Sequence, residues 1–315
     1  MKKLFLSSVI VLFGISIMAQ NSANLKLNLE KNKVYRFRYT AEQTANQTIN
    51  GNTQTSDTKI NNSVSIKMID ATAGFIITEV HLDTTSINSN AMGKTTLISS
   101  ANAGNITSSE ATDVITCIQN RLSKNALYVK MDFSGKVIEI ANAKMLADIV
   151  LKDTSSITLT GMMRGGIKKQ IENAISSKEL TTQIEGLTNL LPGKEVSVGD
   201  KWTVTQRSSA NGMSLDIVTE YHLDGIKGNN ANITATSDIK ASPNAEPMVS
   251  GPAKVTYDDL KGLVKSTLVI DTRTGLLIEE KGKSQIAGTL GISGPGFSMQ
   301  MPMDINGETK VTAIQ

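Results

Sequence analysis

The 315 residues include one cysteine, Cys117, and two histidines, His81 and His222. A single thiol cannot close an internal disulfide, so the fold has to be held by packing alone. Two histidines, with no H-E-x-x-H and no C-x-x-C, provide no set of converging nitrogen and sulfur ligands of the kind zinc requires. No G-x-S-x-G and no P-loop is present, and no glycine-rich stretch follows a strand and opens a helix, so a phosphate cradle has no support. Aromatic residues are 4% of the chain, too few for the stacking platforms that hold single-stranded nucleic acid. Beyond the first nineteen residues no segment offers the roughly 18 apolar residues that cross a bilayer as a helix. These absences lead us to expect a protein that is not an enzyme, takes no cofactor or metal, binds no nucleic acid and has no transmembrane segment.

The first nineteen residues have the order of a secretory signal: Lys2 and Lys3, an apolar run from Leu4 to Met18, and the small Ala19. Removing them takes away two lysines and no acid. The 32 basic residues against 29 acidic then become 30 against 29, so the basicity of the whole chain belongs mostly to its leader. The expected location is the periplasm or the cell exterior. No Leu-x-x-Cys lipobox ends the leader, so no lipid anchor is expected.

The rest alternates at strand period. Tyr35, Phe37 and Tyr39 face one way and Arg36 and Arg38 the other. The pattern continues to Ile49, turns at Asn50-Gly51-Asn52 and returns to Met68, two arms of about fifteen residues or about 50 Å each. Further strands are expected over 75–82, 92–99, 127–140 (a hairpin), 201–208, 214–223, 232–240, 260–271, 276–290 and 297–313. Helical spacing marks 110–122, where Cys117 reads as a small core residue. It also marks 141–151 and 166–191, ended by Pro192-Gly193.

Two halves share marks. Ile77-Thr78-Glu79-Val80-His81-Leu82-Asp83 matches Val218-Thr219-Glu220-Tyr221-His222-Leu223-Asp224. Each half also has a turn with Asp before it and Gly inside it (Asp132 to Gly135, Asp271 to Gly275) and an aromatic-led opening strand (Tyr35, Trp202). The expected organisation is a signal peptide at 1–19, a first β unit with short helices at 20–160, a helical connector at 161–195 and a second β unit at 196–315. The fold class is α+β: long antiparallel strands forming a curved sheet or half-barrel, two related β units, and helices packed on one face.

The segments Leu29 to Phe37 and Leu191 to Trp202 resemble a family of exported Bacteroidota proteins that carry a domain of unknown function. The resemblance implies no catalytic residue. More remotely, the two Asp-to-Gly turns resemble the strand turns of LolA-like and LppX-like periplasmic carriers. That likeness implies a half-barrel with helices on its concave side, binding lipid or acyl chains.

Two constellations invite a site reading. Glu79, His81 and Asp83 share one face of a strand, as do Glu220, His222 and Asp224, and a solvated outer face is the expected role of both. Met299, Met301 and Met303 also share one face. Their thioethers suit a pliable apolar lining, and an extended strand holds them too far apart to serve copper together. The expected ligand groove therefore sets Met299, Met301 and Met303 opposite the helical stripe of Leu180, Ile184 and Leu187. The expected function is an exported, non-catalytic binding protein for an apolar or amphipathic ligand, a lipid or acyl chain. The alternative is an envelope or secreted protein-interaction scaffold, with the polar hairpin at 41–59 as the edge a protein partner would use.

Overall fold

The computed structural model describes residues 21–314 other than 50, 160–166, 169–170, 211–212, 244, 246, 251–252 and 258. The signal peptide expected at 1–19 lies outside the described residues, as does part of the expected connector.

Long strands dominate because β-branched, aromatic and hydroxyl residues alternate for up to twenty positions without a break. In the first half these are β2 (Val34–Ile49), β3 (Asn52–Ala71), β4 (Ile76–Ala91), β5 (Lys94–Ser99), β6 (Leu127–Met131) and β7 (Val137–Ile140). In the second half they are β9 (Lys201–Ala210), β10 (Met213–Lys227), β11 (Asn230–Ala241), β12 (Met248–Ser250), β13 (Ala253–Thr256), β14 (Lys261–Asp271), β15 (Leu277–Gly294) and β16 (Phe297–Ile314). They form one large, open antiparallel sheet in the order β7-β6-β4-β3-β2-β16-β15-β14-β11-β10-β9, with β5 beside β4 and the β12–β13 hairpin beside β15. A separate two-stranded ribbon joins β1 (Ser22–Leu25) to β8 (Lys194–Ser197). Among the described residues the helices include α1 (Ala111–Ser123), α2 (Ala143–Val150) and α3 (Ser177–Thr188), with further helical residues at 167–168 and 171–174.

The order β2-β3-β4-β6-β7 recurs as β9-β10-β11-β14-β15, and β16 joins the two runs by pairing with both β2 and β15. Matching irregularities accompany this. The β3–β4 ladder shifts at Met68/Asp70 and the β10–β11 ladder at Leu223/Gly225. The β6–β7 ladder shifts at Lys130/Met131 and the β14–β15 ladder at Val269/Ile270. The two Asp-to-Gly turns are equivalent in this scheme, but the histidines are not. His81 lies on the third strand of its run and His222 on the second of the other, so their shared heptapeptide is no mark of equivalent position.

Helices and sheet share one core on the inner face. Leu25, Leu27 and Leu29 meet Val114 and Ile118 of α1, Leu146 and Val150 of α2, and Leu180 and Ile184 of α3. From the sheet come Phe37, Ile66, Val80, Leu223, Leu268 and Val311. Cys117 is buried in this cluster as a packing residue. The long helical pattern over 166–191 is interrupted: Ser176 caps α3, its hydroxyl accepting from the Glu179 N–H. The Ser-x-x-Glu spacing is the sequence signal for that start.

α3 ties the sheet's two edges together. The Glu185 carboxylate accepts the Val137 N–H of β7 at 2.9 Å, and the Glu185 carbonyl accepts the Gln206 amide of β9 at 3.5 Å. Trp202 of β9 stacks on Tyr221 and donates its ring N–H to the Leu190 carbonyl just beyond the helix. Edges that reach a common helix require the sheet to curl. The sheet remains open, and α3 spans the seam at this end.

A second, smaller cluster lies toward the other end of the strands. Leu215, Ile239, Tyr257, Leu260, Leu290, Met301 and Met303 form it, and Met248 and Val255 of the β12–β13 hairpin pack against it.

Candidate functional site

Strand alternation assigns every side chain of the sheet to one of two faces. Phe37 and Val311 are in the first cluster, and Ile49 and Met303 belong to the second. Phe37 and Ile49 share parity on β2, as Val311 and Met303 do on β16, so both clusters lie on the same inner face. The ladders between them run without a register shift and define rows across five strands. Tyr39, Val311, Glu280, Leu268 and Ile233 form one row. The next holds Ala41, Thr309, Gly282, Ser266 and Ala235, and the one after it Gln43, Gly307, Ser284, Val264 and Ser237. Ala45, Ile305, Ile286, Gly262 and Ile239 make the fourth.

The first row carries large side chains, the fourth three isoleucines beside Ala45 and Gly262, and the middle two mostly small ones. This composition cuts a shallow groove across the strands, walled by one cluster on each side. The first and fourth rows are three two-residue steps apart, roughly 20 Å at strand rise. Gln43, Thr58, Ile60, Ser237, Val264, Ser266 and Ser284 are half-buried in it. An open recess of about 1550 Å³ lies at this level of the sheet. Most of its lining points to the outer face, Glu42, Lys59, Thr236, Lys265 and Lys283 among it, with Ala41, Thr58, Ile60, Gly282 and Ser284 alternating between them, and Glu280, Val264 and Ser237 do not line it.

One carboxyl enters the groove. Glu280 faces inward between Leu268 and Val311. Burial pushes its carboxyl above the ordinary value, and a hydrogen bond with Ser266 opposes that shift. Burial, with a smaller contribution from the Glu280 charge, also raises the Tyr39 and Tyr221 hydroxyls. Glu279 next to it points outward, where Lys281 and Lys310 hold its carboxyl down.

The expected site residues are not brought together. Leu180 and Ile184 are buried in the first cluster and Leu187 packs against it. Met301 and Met303 are buried in the second cluster, and Met299 is half-buried opposite Ile292. The helical stripe and the methionine strand therefore fill opposite ends of the inner face, with the groove between them. Periodicity assigns each set to an apolar face, but which end of a strand a helix covers depends on tertiary packing. Sequence reasoning misses the groove residues because alternating small hydroxyl residues and glycines read as ordinary strand.

The 41–59 hairpin is no free edge. β2 pairs with β16 as far as Gln47, and β3 pairs with β4 from Ser56. Lateral pairing uses the backbone groups that a partner strand would need. The histidines stand on the outer face, where His81 contacts Glu79 at 2.9 Å and His222 contacts Asp224 at 2.6 Å. Their surroundings are the half-exposed ones expected of a solvated face.

Comparison with solved structures gives distant likenesses. A lipovitellin structure titled for its lipid–protein interactions is 10% identical with a TM-score of 0.44, covering 91% of this chain and 26% of its own. The chain thus spans about a quarter of that protein. OccAB4 of Acinetobacter baumannii is 6% identical with a TM-score of 0.23, over 90% of this chain and 99% of its own. OccK11 of Pseudomonas aeruginosa is 6% identical with a TM-score of 0.21, over 91% and 99%. All three are too distant to carry an argument about ligand. No curated protein matches. Residues 73–277, which include the Leu191 to Trp202 segment but not Leu29 to Phe37, match a family of unknown function, DUF6263, and with that match over more than half of its length the chain belongs to this family.

Proposed function

We propose that this is an exported, non-catalytic binding protein that takes an amphipathic or apolar ligand, a lipid or acyl chain, in the transverse groove of its inner face. One observation carries this reading. Two rows of mostly small side chains, half-buried at Thr309, Ser266, Gln43, Ser284 and Ser237, lie between two apolar clusters on the inner face. A chain laid across them would meet Ile60, Val264, Ile286 and Ile305 with its apolar part, and the hydroxyls of Ser237, Ser266 and Ser284 with its polar part. Buried methylenes supply about 0.8 kcal/mol each, enough for a long acyl chain to bind without an enclosed cavity.

The test is an acyl-chain probe titrated into the mature protein. Saturable binding is expected, with loss of at least tenfold in affinity in Ser284→Phe, which fills the groove floor, and unchanged far-ultraviolet circular dichroism. Wild-type protein that ignores the probe would overturn the reading. Export has its own test, since the mass of the protein from its native host should correspond to cleavage near Ala19.

A protein-interaction scaffold is the second reading. The observation favouring it is β5, whose only ladder partner among the described residues is β4 and whose Leu97 is 53% exposed. Crosslinking from position 97 to a partner protein, with no acyl binding, would favour it over the carrier.

A further inference from the structure

Among the described residues, strand alternation places one charged side chain on the inner face of β2, β3, β9–β11 and β14–β16, and that residue is Glu280. Every other described Lys, Arg, Asp and Glu of these strands points outward. We propose that Glu280 is the head-group receptor of the groove and that the ligand is an amphiphile with a cationic ammonium head, a proposal that rests on the carrier reading above.

Three observations converge on it. The first is the missing counter-charge. Its sequence neighbour Glu279 is paired with Lys281 at 3.0 Å and Lys310 at 3.4 Å, whereas no cation among the described residues pairs with Glu280. Its hydrogen-bond partner is the Ser266 hydroxyl. A carboxylate withdrawn from water without a cation is expensive to keep, and a bound ammonium would provide what the protein withholds. The second is a shortage of donors in the same row. Asn62 lies opposite Tyr39, in line with Val311 and Glu280, and its buried Oδ1 has no hydrogen-bond partner. Asn62 is three strands, about 14 Å, from Glu280, so it marks a row short of donors and is not a second contact for the same head group. The third is access. Glu280 is half-buried rather than sealed in the core, and the Thr309 and Ser266 hydroxyls occupy the space beside it above Gly282.

The experiment compares three twelve-carbon amphiphiles by calorimetry, each below its micelle concentration: dodecylammonium, dodecanol and dodecanoate. Wild type should bind dodecylammonium at least tenfold more tightly than the other two. Glu280→Gln, which keeps shape and removes charge, should bring the three within about threefold while binding of dodecanol is retained. Tyr39→Phe, which keeps the ring, should preserve the preference. Equal binding of dodecylammonium and dodecanol by wild type, or a preference that survives in Glu280→Gln, would overturn the head-group assignment and leave the groove reading standing. If none of the three binds to wild type, the groove reading fails and the assignment fails with it.

Discussion

At the scale of single residues, two glycines and one glutamate decide the most. Gly135 and Gly275 both sit at positive φ, +88° and +73°, in the two Asp-to-Gly turns. A Cβ on Gly135 would run into the Thr188 carbonyl at the end of α3, and one on Gly275 into the Lys26 carbonyl of the N-terminal segment. Those approaches accompany hydrogen bonds: Leu27 N–H to the Phe133 carbonyl, Asn28 N–H to the Thr274 carbonyl, and Thr188 Oγ1 to the Gly135 carbonyl. Gly135→Ala and Gly275→Ala should each lower stability by more than about 1 kcal/mol, from φ strain and steric overlap together, read as a shift in urea midpoint. Met301 tests the second cluster. It is 7% exposed there, so Met301→Asp should cost several kcal/mol of folding stability rather than remove binding alone, as thermal melting would show. Glu280 makes a prediction of opposite sign. Its folded carboxyl titrates above its unfolded value because burial penalises the charge. As pH rises through the unfolded value, the unfolded chain ionises first and gains, so stability falls until the folded group has also ionised. Glu280→Gln should therefore melt close to wild type near pH 4 and higher than wild type at pH 7. A melting difference independent of pH would show that the carboxyl is not desolvated.

At the scale of elements, the helix α3 is the one that joins distant parts. Its Glu185 side chain accepts the Val137 N–H of the edge strand β7, and its backbone meets β9 on the other side. Glu185→Ala should cost about 1–2 kcal/mol for the orphaned Val137 N–H and raise amide exchange in both β7 and β9. Faster exchange confined to β7 would mean that the seam is not held by this residue. The strands show how far pattern reading reaches. Alternation ends β4 at Leu82, yet the strand continues to Ala91, because Asp83 to Asn90 is rich in Ser, Thr and Asn and reads as loop. Those residues extend only because β3 on one side and β5 on the other satisfy their backbone. The Met92-Gly93 turn that follows has positive φ at both residues, and Met gives no warning of it. β12 and β13 escape a pattern reading because strands of three and four residues carry too little periodicity.

At the scale of the molecule, the two runs of strands share one sheet, since β16 pairs with β2 at its centre. That joint places both clusters on one face and leaves the groove between them. It also sets ion pairs such as Glu42–Lys59 and Lys283–Glu308 across neighbouring strands of the outer face. Exposed pairs of this kind add little stability; their effect is to keep that face wet and the other one inward.

What the sequence alone determined follows from local rules. Alternation settled strands and faces, helical spacing settled α1 and α2 to within a few residues, and Asp-to-Gly spacing settled both turns. Tertiary structure alone decided which strands are neighbours and which end of the sheet each helix covers, so that the stripe of Leu180, Ile184 and Leu187 never faces Met301. It likewise decided that the 41–59 hairpin is enclosed by β16 and β4 rather than free. The physical reason is that pairing is chosen by backbone hydrogen bonds, which every residue but proline offers equally. Ala41, Gly282 and Ser266 become the floor of a groove only when β2, β15 and β14 are set on one sheet with β16 between the first two.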